Sequence, residues 1–148
     1  MKLELPIHRQ VQPYTCLPAC IRIILHYLGI KVSEEEIAQA CKTTGAGTLP
    51  SNAVLGVRAL GHQALAFEAG TLEFLIESLS RQQPVIVFLR VSDLPYGFAG
   101  VHAVVVCGVE EDKVIYIDPQ LASEVTLEAS LFLRAWHSLG GRGLLIWR

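Results

Sequence analysis

The stretch RQVQPYTCLPACIRIILHYLG, residues 9–29, joins a polar segment to an apolar segment of helical length. Pro18 suits the first turn of a helix, because its missing N–H has no partner there in any case. Gly29 suits a helix stop, so the pattern predicts a helix over residues 18–28. Apolar residues fall on most faces of this helix, which predicts deep burial. Cys16 and Cys20 stand one helical turn apart. This spacing has three interpretations: a redox or metal-binding pair, two small buried residues, or one nucleophile and one cysteine without a catalytic role.

Composition limits the classes of protein to which the chain can belong. Its 148 residues are 51% hydrophobic with a mean hydropathy of +0.41, enough for one domain with a substantial core. No apolar run reaches the roughly 18 residues of a membrane span, and MKLELPIHRQ does not resemble a signal peptide. The net charge of −2, without a block of like charge, disfavours nucleic-acid partners. Four irregularly spaced cysteines do not form a disulfide framework, so we expect a reduced, cytoplasmic protein.

Helical patterns dominate the first half of the chain. Ser33 and Glu36 form a capping box that opens a second helix. A third helix is predicted over residues 51–60 after a Gly-rich loop, and Thr71 caps a fourth. QALAFEA alternates in the manner of a short strand.

Strand patterns dominate the second half. PVIVFLRV, VHAVVVCGVE and EDKVIYID are predicted strands, and the acidic turn EED joins the last two into a hairpin. Residues 126–136 are predicted to form a short helix, and GLLIWR a final strand. Helices first and an antiparallel sheet later predict an α+β fold in a single domain, residues 1–148.

Cys16 is the candidate nucleophile. It stands where a polar segment meets a helix, and the free N–H groups and positive dipole at a helix start favour an anion. A cysteine in that position acquires a lowered pKa. By itself, the same position also suits a small buried residue.

His102 and Asp118 are the candidate partners of Cys16. His102 begins a predicted strand directly after the Gly-rich loop PYGFAG, and Asp118 ends the strand that pairs with it. An aspartate opposite a histidine can orient the imidazole, as in a catalytic triad. Asp-Pro is also a common turn opener. His26 lies mid-helix and is interpreted as packed or hydrogen-bonded, and His8, His62 and His137 receive no role.

Gln10 precedes Cys16 by six residues and Gln12 by four, and spacing favours Gln10 as the donor to an oxyanion. The loop SDLPYGFAG, just before His102, is a candidate lining of a substrate cleft. Within it, packing is the favoured interpretation of Tyr96 and Phe98, with substrate contact as the alternative.

Taken together, QVQPYTCLPAC and HAVVVCGVEEDKVIYIDP resemble the bacteriocin-processing, papain-like cysteine peptidases. These domains cleave double-glycine leader peptides and usually form the front part of peptide-exporting ABC transporters. The middle of the chain and the tail FLRAWHSLGGRGLLI are also similar to that family. The resemblance implies a papain-like fold, a helical lobe packed on an antiparallel sheet. It implies that Cys16 is the nucleophile, His102 the general base, Asp118 the group that orients the imidazole and Gln10 the oxyanion donor.

Two features depart from the family pattern. Leu17 follows the nucleophile where the family usually has glycine, and its larger side chain would narrow the cleft. Neither membrane segments nor a GxxxxGK[ST] loop are present, so a transporter partner would be a separate exporter.

The predicted reaction is hydrolysis of a peptide or protein substrate by acyl transfer to Cys16, with no metal or cofactor. Three other interpretations stay open. In the first, the chain is a catalytically silent peptidase-like domain that binds a peptide or protein. In the second, it binds a metal through Cys16, Cys20 and a histidine. In the third, it catalyses another papain-like acyl-transfer reaction.

Overall fold

The computed structural model describes residues 1–97 and 100–148, and its centre is one six-stranded antiparallel sheet. In chain order the elements are α1 (Cys16–Tyr27), α2 (Glu34–Ala40), α3 (Pro50–Ala59), β1 (Gln63–Phe67), α4 (Leu72–Ser80), β2 (Val85–Arg90), the 3₁₀ turn Val91–Asp93, β3 (Val101–Glu110), β4 (Lys113–Asp118), β5 (Ser123–Glu128), α5 (Ala129–His137) and β6 (Gly143–Trp147). The strand order across the sheet is β1-β6-β2-β3-β4-β5.

Two apolar clusters cover the two faces of the sheet. One joins α1, α2 and α3 to one face, through residues such as Ile24, Ile37 and Val105. The other joins α4 and α5 to the opposite face, through residues such as Leu75 and Trp136. Because β2 and β3 are buried on both faces, they are almost continuously apolar instead of alternating. The predicted α+β fold, with a helical lobe on an antiparallel sheet, is confirmed.

The helix boundaries follow local signals in the sequence. α2 begins after Ser33, whose side chain accepts a hydrogen bond from the Glu36 N–H at 3.1 Å, and Thr71 caps α4 in the same way at 3.0 Å. α1 ends before Gly29, whose φ of +86° is the left-handed conformation that glycine adopts without strain. α1 begins at Cys16, two residues earlier than predicted, so the candidate nucleophile lies in the first turn.

One predicted element was wrong in part. The helix expected over residues 126–136 begins only at Ala129, and Thr126 belongs to β5. β5 pairs with β4, with Val125 opposite Tyr116, and Val125 and Leu127 pack against the second apolar cluster. Pairing with a neighbouring strand therefore overrode the helical pattern at the start of this segment.

The predicted β3–β4 hairpin is confirmed, with only Glu111 and Asp112 between the strands. Val105 lies opposite Ile117 and Val106 opposite Tyr116. Successive side chains of a strand alternate between faces. Counting in twos from the paired Val106 and Tyr116 therefore places His102 and Asp118 on the same face of the hairpin.

Candidate active site

His102 and Asp118 form a buried pair at the end of the hairpin. The Nε2 atom of His102 lies 2.6 Å from Oδ1 of Asp118, and the two side chains are 6% and 1% exposed. A bond to Nε2 leaves the other ring nitrogen, Nδ1, free for a second partner. The Cys16 thiol lies close enough to the imidazole that each group shifts the pKa of the other. The structure therefore brings together three of the four predicted site residues in the order Cys16, His102, Asp118.

The first turn of α1 exposes its N–H groups to the Cys16 sulfur. Thr15, the residue before the helix, makes no capping bond to it, because its hydroxyl bonds to the N–H and carbonyl of Gln12 instead, at 3.0 Å each. The N–H of Leu17 in the same turn and the N–H of Ala103 in β3 lie near the sulfur and lower the pKa of Cys16. One N–H at a helix start and one on the neighbouring strand favour the thiolate over the thiol.

Opposed effects set the pKa values of the three groups. Burial alone would raise the pKa of Cys16, but the nearby His102 and the two N–H groups outweigh it, and the pKa lies below its ordinary 9.0. Burial alone would lower the pKa of His102, yet Asp118 and Cys16 raise it to about 9. Burial would raise the pKa of Asp118, but the bonds from His102 and from the Gln120 N–H keep it below 3.8. A thiolate beside an imidazolium is the ionisation state that these shifts favour.

The other three cysteines have shifts of the opposite sign. Burial raises the pKa of Cys20 well above its ordinary value, that of Cys41 to about 11 and that of Cys107 to about 12. All four thiols are unpaired. Cys20 lies fully buried among apolar side chains and Cys16 is partly exposed, so the two do not converge on one site. Within residues 1–97 and 100–148, no three His, Cys, Asp or Glu side chains are grouped closely enough to hold a metal ion.

Asp118 also organises the turn that follows β4. Its Oδ1 accepts the N–H of Gln120 at 2.9 Å, and its backbone carbonyl accepts the N–H of Ala122 at 2.8 Å. The same carboxylate therefore opens a turn and contacts His102. The turn fixes the carboxylate against the imidazole.

Gln10 lies on the N-terminal segment (residues 8–15), which reaches the end of β4. Its backbone N–H donates to the carbonyl of Pro119 at 2.9 Å. Its side-chain Nε2 donates to the carbonyl of Gln12 at 3.0 Å and, at a longer 3.4 Å, to that of Pro13. Gln10 is thus tied to the Asp118 turn by its backbone, while its amide bonds to the N-terminal segment itself.

A cleft of about 320 Å³ opens beside Cys16. Its walls come from five parts of the chain: the N-terminal segment through Tyr14, α1 through Leu17, the Gly-rich loop 45–48, β2 through Phe88, and β3 through Ala103. Leu17 is only 3% exposed, so it contributes to the apolar core as well as to the cleft. A larger cleft of about 590 Å³, between the N-terminal segment and α2, is not lined by Cys16. The smaller one is therefore the candidate substrate site.

The remaining histidines lie apart from this arrangement. His8 Nε2 and His26 Nδ1 share a hydrogen bond of 2.9 Å, so the tertiary hydrogen bond expected for His26 is present. His137 Nε2 lies 2.9 Å from the carbonyl of Gly70.

Two polar contacts beside the site were not predicted from the sequence. The Tyr96 hydroxyl lies 2.9 Å from Oδ2 of Asp118 and 2.7 Å from the hydroxyl of Tyr116, and its ring packs against the second apolar cluster. The packing interpretation of Tyr96 therefore holds, with a polar contact added; Phe98 lies outside the described residues. The buried carboxylate of Glu34 accepts the N–H of Val11 at 2.9 Å and so ties α2 to the N-terminal segment. Neither bond follows from sequence spacing, since each joins residues more than twenty positions apart.

Comparison with known proteins gives consistent matches. The sequence model of the peptidase C39 family matches residues 4–140. An uncharacterized protein of Methanothermobacter marburgensis is 29% identical over 115 residues, which are 78% of this chain and 72% of the relative.

Solved structures match the fold over nearly the whole chain. A C39-like peptidase from Bacillus anthracis has a TM-score of 0.77 at 19% identity, covering 97% of this chain and 94% of its own. The peptidase domain of Streptococcus ComA, a bifunctional ABC transporter of a quorum-sensing pathway, has a TM-score of 0.77 at 20% identity, covering 95% of this chain and 96% of its own. A double-glycine-motif protease from an AMS/PCAT transporter, in complex with the leader peptide, has a TM-score of 0.74 at 19% identity, covering 98% of this chain and 92% of its own. The resemblance stated from the sequence is confirmed.

Proposed function

The chain belongs to the peptidase C39 family, and we propose that it is a cysteine peptidase with Cys16 as nucleophile, His102 as general base and acid, and Asp118 as the residue that orients the imidazole. One observation carries the proposal: His102 lies 2.6 Å from Asp118 and close enough to Cys16 that each shifts the pKa of the other. Nucleophile, base and orienting carboxylate then stand in the sequence that acyl transfer requires.

The proposed reaction begins with the Cys16 thiolate and the His102 imidazolium. The sulfur attacks the peptide carbonyl, and the carbonyl oxygen becomes an oxyanion. His102 then gives its proton to the leaving amine, the C–N bond breaks and a thioester remains on Cys16. A water molecule, deprotonated by His102, attacks the thioester, releases the acid and returns the pair to its starting state.

Gln10 is proposed to donate to the oxyanion together with the backbone N–H of Cys16. The amide nitrogen of glutamine carries two hydrogens. The bond from this nitrogen to the Gln12 carbonyl is 3.0 Å long, and the bond to the Pro13 carbonyl is 3.4 Å long. The hydrogen with the longer bond can be exchanged for the oxyanion at little cost.

The proposed substrates are peptides or proteins with small residues at the cleaved bond, and double-glycine leader peptides are the first candidates. Leu17 and the loop 45–48 make the cleft beside Cys16 small, about 320 Å³. Glycine needs no space for a side chain, and a similar fold binds a leader peptide in the double-glycine-motif protease. A separate peptide exporter is the proposed partner.

We also propose that residues 1–148 form one domain, because both apolar clusters pack on the same sheet. A cytoplasmic location is proposed because all four cysteines are unpaired thiols. In the described parts of the chain, no helix has the length and apolar character needed to cross a membrane.

The test is to incubate the protein with a panel of double-glycine leader peptides and to follow cleavage by mass spectrometry. We expect cleavage after the second glycine by the native protein and none by the Cys16→Ala variant. Cleavage that survives in the Ala variant would refute Cys16 as nucleophile. If the whole panel stays intact with the native protein, the proposed substrate class is wrong.

A further inference from the structure

The Asp118 carboxylate has a third partner besides His102 and the turn that follows it. Oδ1 accepts from His102 and from the Gln120 N–H, while Oδ2 accepts from the hydroxyl of Tyr96 at 2.9 Å. Asp118 is 1% exposed, so water does not replace these donors. A buried carboxylate oxygen without a donor is costly, and Tyr96 is the donor that Oδ2 has.

Tyr96 is itself fixed by a second hydroxyl. The Tyr116 hydroxyl, which is fully buried in β4, lies 2.7 Å from that of Tyr96. Burial and bonds to Tyr116 and Asp118 raise the pKa of Tyr96 above its ordinary 10.0, and burial raises that of Tyr116 to about 12. Both hydroxyls therefore stay protonated at neutral pH. The carboxylate can only accept, so protons point from Tyr116 to Tyr96 and from Tyr96 to Asp118.

The segment that carries Tyr96 closes on itself directly before β3. The Leu94 N–H donates to the carbonyl of Val91, the Gly97 N–H donates to that of Leu94, and the Val91 N–H donates to that of Gly100. A Cβ atom at Gly97 would lie 1.5 Å from the Val91 carbonyl oxygen, so only glycine permits this turn. The turn therefore holds the Tyr96 hydroxyl over Asp118.

We propose that Tyr96 is a positioning residue of the active site, which fixes the Asp118 carboxylate and draws part of its charge away from His102. The proposal rests on the proposed function, because it gives Tyr96 a role in the same acyl-transfer reaction. Without the hydroxyl, Oδ2 is left unpaired and the carboxylate becomes more basic. A more basic carboxylate holds the imidazolium more tightly and in a less defined orientation. His102 then gives its proton to the leaving amine less readily.

The titratable groups around this site come from four elements. Asp118 is faced by His102 from β3, Tyr96 from the segment before β3, and Tyr116 from β4; His102 is faced by Asp118 and, from α1, by Cys16. A shift in the titration of His102 can therefore be assigned to Tyr96 only against a control that changes a neighbouring hydroxyl.

The matched pair of variants is Tyr96→Phe and Tyr116→Phe. Each removes one hydroxyl from the same two-tyrosine chain and keeps the ring, but only Tyr96→Phe breaks the bond to Asp118. The alkylation rate of Cys16 by iodoacetamide, measured against pH, reports the titration of His102 as its upper inflection and needs no substrate. Cleavage kinetics and thermal melting are measured on the same samples.

For Tyr96→Phe we expect the upper inflection of Cys16 alkylation to move upward by about half a pH unit. We expect kcat to fall about tenfold with KM within about twofold, because only the reacting geometry is changed. For Tyr116→Phe both quantities should stay within about twofold of the native protein, because the bond between Tyr96 and Asp118 is kept.

An unmoved inflection in Tyr96→Phe would overturn the proposal, as would equal effects of both variants, which would indicate a general loss of packing. If instead the native protein shows no fast, pH-dependent alkylation of Cys16, the proposed function fails. Failure of the Tyr96 proposal and failure of the proposed function therefore give different results.

Discussion

The charge of Asp118 should control the protonation of His102, and the variant Asp118→Asn tests this with little change in shape. Asn keeps a carbonyl oxygen that can accept from His102, but it carries no charge. In the native protein the pKa of His102 is raised from 6.5 to about 9 by Asp118 and Cys16 against the effect of burial. Loss of the Asp118 charge should return this pKa to the ordinary value or below.

The size of the effect follows from that difference. At pH 7.5 a histidine with a pKa of about 9 is nearly all imidazolium, whereas one with a pKa of about 6.5 is only about one tenth imidazolium. The thiolate of Cys16 depends on that cation, so its alkylation rate at pH 7.5 should fall roughly tenfold in Asp118→Asn. The upper inflection of the rate against pH should move from near 9 to 6.5 or lower.

The assay is iodoacetamide alkylation of Cys16 followed by mass spectrometry across pH 4 to 10, buffered to constant ionic strength. Asp112→Asn is the matched control, because it makes the same chemical change in the exposed turn between β3 and β4. Its profile should coincide with that of the native protein. An Asp118→Asn profile with both inflections unmoved would refute the reasoning, since the pKa of His102 would then not depend on the carboxylate.

Three further substitutions test the surroundings of the site. Leu17→Ala removes a core side chain that is 3% exposed and should lower the free energy of unfolding by about 2–5 kcal/mol in urea titrations. The variant should also accept substrates with larger side chains at the cleaved position. An unchanged free energy of unfolding would contradict the place of Leu17 in the core. Gln10→Ala should lower kcat about 10²–10³-fold and leave Cys16 alkylation unchanged, and an equal loss in both would show that Gln10 acts on the thiol and not on the oxyanion. Glu34→Ala should reduce cleavage several-fold by freeing the Val11 N–H, and Glu34→Gln, which keeps an acceptor, should recover most of it; equal loss in both variants would count against a positioning role.

The sequence predicted those parts of the site that local patterns determine. Cys16 stands at a helix start that its own flanking residues define, and His102 and Asp118 stand on strands joined by a two-residue turn, so strand alternation places them on one face. α2 and α4 begin at the predicted caps, Ser33 and Thr71.

The sequence did not predict contacts that depend on how distant segments fold back. The bond between Tyr96 and Asp118 requires the turn at Gly97 to direct the ring inward, and the bond between Glu34 and Val11 joins α2 to a segment 23 residues away. The local pattern of residues 126–128 predicts a helix, because it does not reveal the pairing of these residues with β4. In each case, tertiary pairing decides the structure.

The measurement that tests the central claim most directly is the alkylation of all four cysteines by iodoacetamide at pH 6, with His102→Ala as the reference. At pH 6 a thiol with a pKa of 9 is only about one thousandth thiolate, and the lower nucleophilicity of an acidic thiol offsets part of the gain from ionisation. We therefore predict that Cys16 reacts about ten to a hundred times faster in the native protein than in His102→Ala. Cys20, Cys41 and Cys107 should react slowly in both proteins because burial raises the pKa of each. Equal rates for Cys16 with and without His102 would contradict the thiolate–imidazolium pair and, with it, the proposed peptidase mechanism.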